Sequence, residues 1–196
     1  MTMHLTHGNH KHRADGMCAM EAAAYIAGER HSDKPECVSP VLAAFMIGWN
    51  DGLPNDTERD RLLKPLLPLV LHTATGPVDD EIRAWMATDW LVRVHTPAWL
   101  ELAKLPTHAA ALRALPPFTC VEIAVATQAT IKAAGEVAWE AAGAAAWEAL
   151  APTVAMLQAS ATELVKAMCA VGEVTERPMR AERLGEILAT SPESPE

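Results

Sequence analysis

Five of the eight histidines (His4, His7, His10, His12, His31) and two of the four cysteines (Cys18, Cys37) fall within the first forty residues. Histidine and thiolate are the usual zinc ligands, arranged as a tetrahedron. Cys18, His31 and Cys37 could supply three of the four, and His10, or in its place His7 or His12, the last. The expected cofactor is therefore zinc. The spacing is not that of a standard finger, because no CxxC pair occurs in the stretch. The plain alternative is a buried Cys18, a loop Cys37 and solvated histidines, since cysteine often behaves as a small hydrophobe.

A second chemistry is nucleophilic. Cys18 is expected in the first turn of a helix, where amide dipoles lower a thiol pKa. A histidine could then act as base, with Asp33 orienting it. A cysteine opening a helix is similar to the arrangement in papain-like peptidases. Glu21 departs from that pattern by opposing thiolate formation, and no glutamine precedes Cys18 to stabilise an oxyanion. The expected catalytic set is Cys18, Glu21 and Asp33. Carboxylates offer a third chemistry, because Asp33 and Asp51 could join Glu21 or Glu29 around a hard cation. Glu21 and Glu29 lie about 80° apart on a helical wheel. No Glu-x-x-His pair follows either of them: Ala24 and Ser32 occupy those positions. The plain alternatives are a capping Glu21, a turn at Asp33 and a helix end at Asn50-Asp51-Gly52.

Helices must position these groups. Residues 1–15 are polar and read as a mobile arm. A helix is expected from Gly16 to Ala27, capped by Asp15 and stopped by Gly28. Ser39 and Pro40 open the next, proline being favoured at a first helical position. Asn55 or Asp56 begins a third, interrupted by Pro65 and Pro68. Ile82, Trp85, Met86, Trp90 and Val94 recur at helical spacing and mark a fourth. Shorter helices follow at 96–105 and 106–115. Beyond Pro116-Pro117 the chain turns alanine-rich, and one long helix is expected over 119–150. It contains the near-repeat AAGEVAWE-AAGAAAWE. Another helix runs on from Pro152, a short one spans Arg180 to Leu188, and the tail 189–196 is expected to be disordered. The expected fold is all-α, with a bundle over 16–115 and an antiparallel hairpin over 119–172 packed on it. Trp85, Trp90 and Trp99 are expected in the core. Trp139 and Trp147 are expected to anchor the hairpin on the bundle or on a partner.

Composition narrows the functions. The formal net charge is -9, which disfavours a nucleic-acid partner. No long uncharged apolar run is present, so neither a membrane span nor a membrane partner is expected. The polar N-terminus does not read as a secretory signal, and four cysteines then point to the cytoplasm.

The block GMCAMEAAAYIAGERHSDKPECVSP, with WND, RDRLLKPLLP, RAWMATDWLVRVHTPAWL and the alanine-tryptophan repeats, resembles a group of uncharacterised proteins of actinobacteria and their phages. The resemblance covers most of the chain. It implies the boundaries above and a bacterial or phage setting, and it supplies no mechanism. Two functions follow as expectations. One is a regulatory or interaction protein that meets a protein partner, or a second copy of itself, through the 119–168 helices. The other is a small metal- or cysteine-dependent hydrolase, with its site between the first helix and the 29–37 loop. The first is preferred because no complete catalytic constellation can be written from the residue order.

Overall fold

In the computed structural model, residues 3–141, 147–173 and 176–189 are described. They form an all-α protein, and no strand occurs among them. The chain divides into two compact units, residues 1–80 with 165–196 and residues 81–164. The division falls inside helices and not at Pro116-Pro117. Proline ends a helix by removing an amide donor, but it does not decide which helices pack together.

The first unit is built around α1 (Ala19–Ala27), which packs on α2 (Pro40–Gly52), α4 (Leu67–Val70) and α10 (Ala181–Leu188). Ala19, Ala22, Ala23 and Ala24 are fully buried together with Met20 and Ile26. A helix apolar on nearly every side is an interior helix, and alanine lets its neighbours approach closely. Gly28 ends α1 in the left-handed region (φ 84°), its amide donating to the carbonyls of Ala24 and Tyr25. This is the glycine stop expected from sequence.

The start of α1 differs from expectation. Asp15 does not cap it. Cys18 is the N-cap, and the Gly16–Met17 segment lies outside the helix. Between α2 and α4 run α3 (Asp56–Leu63), capped by the Asn55 side chain, and a 3-10 turn over Lys64–Leu66. Pro65 and Pro68 thus break the helical run into short pieces.

The second unit contains most of α5 (Pro77–Trp90), then α6 (Thr96–Leu102), α7 (Pro106–Arg113), α8 (Val121–Ala141) and most of α9 (Trp147–Cys169). Where a break before Pro97 was expected, the helix runs on through a π turn over Leu91–His95. Pro97 cannot donate to the carbonyl four residues back, and its ring crowds that carbonyl. The Thr96 amide and hydroxyl both reach back to Leu91 O instead. α6, α7 and α8 meet around Leu100, Ala109, Leu112 and Ala134.

Of the tryptophans expected in the core, Trp85 and Trp90 are half-buried and Trp99 remains 38% exposed. Their indole N–H groups explain part of this, since each polar edge needs a partner. Trp90 donates to Ser160 and Trp99 to His95. The side chains of Trp139 and Trp147, residues 142–146 of the expected long helix and the tail from 190 lie outside the described residues, and Pro152 lies inside α9 instead of opening it.

Candidate functional site

Glu21 is the hub of the first unit. Its carboxylate is 1% exposed and accepts four hydrogen bonds or close polar contacts. Oε1 takes the His10 amide at 2.6 Å, and Oε2 takes the Cys18 amide at 2.8 Å. His10 Nδ1–H donates to Oε2 at 2.8 Å, and His31 Nε2 stands 3.5 Å from Oε1. A carboxylate can only accept, so its partners fix the proton of His10 on Nδ1. His10 Nε2 then accepts from the Thr6 hydroxyl at 3.2 Å. His31 Nε2–H donates to the His10 carbonyl at 3.0 Å.

Burial by itself would raise the pKa of Glu21. The amides of His10 and Cys18, and then the His10 ring, outweigh it and hold the carboxyl below its ordinary value. Glu21 also completes a capping box, because the Cys18 sulfur accepts the Glu21 amide at 3.5 Å. Two orphan donors at the start of α1 are thereby satisfied reciprocally.

This arrangement overturns two expectations. Residues 3–15, expected as a mobile arm, pack on the unit, with Leu5 buried. The Leu5 amide donates to Asp60, the Gly8 amide to Asp51, and Asn50 Nδ2 to the Thr6 carbonyl. Asn50 is fully buried and its Oδ1 also accepts the Ala19 amide. The Asn50-Asp51 pair does sit near a helix end, but its side chains hold the arm and do not close that helix. Lys64, nearly buried, joins Asp60 at 2.9 Å and the Met3 carbonyl at 2.6 Å. Arg59 closes the underside with bonds to the carbonyls of Asn50 and Leu53.

The second correction concerns Cys18. Its thiol is 3% exposed and its pKa is pushed up to about 12, first by burial, with the Glu21 charge adding to it. At neutral pH the thiol therefore stays protonated. The capping amides lower the value less than burial and the carboxylate raise it. Cys18 is thus a capping side chain of the core and not an activated nucleophile.

Cys37 stands apart from this cluster. Its amide donates to Glu29 Oε1 at 2.9 Å, and burial, with Glu29, pushes its thiol up to about 11. Cys18 lies against Glu21 and Cys37 against Glu29, so the described residues do not bring Cys18, His31, Cys37 and His10 together as one tetrahedral ligand set. Among the described residues, no three or more His, Cys, Asp and Glu side chains gather as a metal group. His10 and His31 do meet, but around Glu21 as hydrogen-bonding partners. Asp33 is half-buried in the loop after α1 and touches neither Cys18 nor a histidine in any hydrogen bond.

The chain Thr6–His10–Glu21 has the hydroxyl–imidazole–carboxylate order of a hydrolytic triad. Its hydroxyl also accepts the Met17 amide at 3.0 Å, and a Cβ on Gly16 would lie 2.6 Å from Thr6 Oγ1. Thr6 and His10 are not among the lining residues of the concavities around Tyr25 and Glu29. The chain works as a latch that fastens the arm to α1.

The described surface is also notable for exposed apolar residues in the second unit. On α8, Val121 (57%) and Val125 (66%) are exposed, and Ala129 and Ala133 continue the same four-residue step outward. Thr127 and Ala134 on the opposite side are buried. Asn50 reads as part of a helix end, and Thr6, Asp60 and this stripe were not singled out by residue type. An i, i+4 count over 121–133 could have found the last.

Among the described residues, no helix is long and apolar enough to cross a membrane. Compared with known proteins, the chain matches no family model, no curated protein and no solved structure.

Proposed function

We propose that the protein acts by protein–protein association through α8, in a regulatory or assembly role, and that a second copy of the chain is the partner its exposed residues fit. The observation that carries this reading is the outward stripe Val121, Val125, Ala129 and Ala133. Apolar residues at this spacing form one side of a helix. Small side chains let a second helix approach closely, and valine facing alanine interlocks large with small.

An antiparallel copy centred on residue 127 supplies that match. Val125 then stands at the height of the partner's Ala129, and Val121 at that of the partner's Ala133. Glu122 comes level with the partner's Lys132, an opposite charge at the rim. A two-fold pairing of this kind uses one surface twice and closes on itself.

Sedimentation velocity tests the reading. The wild type is expected to sediment as a dimer at tens of micromolar, and Val125→Glu as a monomer with unchanged circular dichroism. A wild type that remains monomeric across the concentration range contradicts it.

A further inference from the structure

The first unit carries a concavity of about 520 Å³ lined by Met3, Arg13, Ala14, Tyr25, Glu29, His31 and Arg183. A second of about 610 Å³ adjoins it, sharing Glu29 and His31 and adding Arg30, Lys34 and Glu36. Together they present four cations, Arg13, Arg30, Lys34 and Arg183, against two carboxylates, Glu29 and Glu36. The chain as a whole has 16 Lys and Arg against 25 Asp and Glu. The local sign is thus opposite to that of the molecule.

Two of these cations are stacked on Tyr25 and form no ion pair among the described residues. The guanidinium groups of Arg13 and Arg183 lie over the Tyr25 ring, 4.4 and 4.6 Å from its centre. Arg183 donates one bond to the Tyr25 carbonyl, and no carboxylate among the described residues pairs with either arginine. Glu29, the carboxylate common to both concavities, is instead occupied by the amides of Glu36 at 2.7 Å and Cys37 at 2.9 Å. The Tyr25 hydroxyl takes up Glu186 at 2.7 Å. Glu29 and Glu186 are therefore held by other donors, while Arg13 and Arg183 line the concavity. Gly28 keeps Arg180 at the same rim: a Cβ there would lie 3.1 Å from Arg180 Nε.

From these residues we infer that this concavity is a binding site for a phosphate group, either free or as the monoester of a small molecule. Guanidinium matches the geometry of phosphate oxygens with paired N–H donors. The volume is that of a small-molecule site. Tyr25 holds Arg13 and Arg183 in place by cation–π contact, which leaves their N–H edges to the ligand. The inference is independent of the association through α8, since every residue it uses belongs to the other unit.

Isothermal titration calorimetry of the full chain, with inorganic phosphate and with phenyl phosphate at constant ionic strength, tests it. Saturable binding of at least one of the two is expected, and the tighter ligand identifies the source of the phosphate group. Arg13→Gln is expected to weaken that binding at least tenfold. The Arg13 side chain is exposed, its guanidinium lies over the Tyr25 ring, and its backbone bond to Gly16 does not depend on the side chain, so this variant should fold as the wild type does. Arg30→Gln provides a second readout with an expected smaller loss. No saturable heat with either ligand, or unchanged affinity in both variants, would overturn the site.

Discussion

The two units solve the problem of holding helices together in different ways. The first buries polar and charged side chains (Glu21, Asn50, Arg59, Lys64) and gives each of them partners in the arm or at a helix end. The second also buries Arg83, but its apolar cluster at Leu100, Ala109, Leu112 and Ala134 is small, and it leaves Val121, Val125 and Met156 exposed. A satisfied polar network specifies one arrangement, because any other leaves a buried group unpaired. An alanine-rich helix has little side-chain area to bury, so its stability and its role depend on what covers it. The difference gives the first unit's chemistry-bearing residues a structural role and leaves the second unit's exposed apolar ones as the basis of the association proposed above.

The sharpest way to break the contrast is at its hub. Glu21→Ala removes the acceptor of two amides and the His10 ring in a buried place. Leaving such donors unpaired costs about 4 kcal/mol. Hydrogen exchange should show the loss in α1 and the arm, with α6 and α7 less affected. The same residue sets a pH dependence. Its carboxyl is held below the ordinary value of 4.5 in the folded state. The stabilisation is therefore present above that value and lost as pH falls through the lowered folded one. Glu21→Gln, which cannot titrate, should flatten this part of the acid-unfolding curve.

Next in size is Leu100→Ala, which opens a cavity in the small core of the second unit. A loss of about 3 kcal/mol is expected, read as faster exchange in α6 and α7. Asn50→Ala should cost about 2 kcal/mol, since it frees the Ala19 amide and the Thr6 carbonyl together. Its distinctive sign is cleavage: limited proteolysis should reach residues 3–15 in the variant before the wild type. Smallest of all is the effect of Val125→Glu on stability, expected within 0.5 kcal/mol because the side chain is exposed. If that substitution unfolds the second unit, the stripe belongs to the core and the comparison fails.

The all-α class was legible from the alanine and leucine content and from helical spacing. Local starts and stops were legible too, at Pro40, Gly28 and the Pro65–Pro68 run, because each depends on one residue and its immediate neighbours. The π turn at 91–95 was not, although Pro97 was visible, because a proline can break a helix or widen it according to what packs around it. The site was legible only in part. Cys18, Glu21, His10 and His31 do converge, but the spacing that suggested chemistry reflects a cap and a latch. The burial that raises the Cys18 thiol and the tethers Asn50, Asp51 and Asp60 depend on contacts tens of residues apart. No local pattern encodes those. The unit boundary failed for the same reason, since it is set by packing and not by the double proline.

Directed cross-linking tests the central claim most directly. In a Cys120→Ser background, Val125→Cys and Ala129→Cys chains are mixed and oxidised. Antiparallel pairing centred on residue 127 predicts a covalent dimer joining position 125 of one chain to 129 of the other. It should form faster than the product of a control pair carrying cysteine at position 104. Absence of that dimer, or equal yields from the control pair, would contradict association through α8.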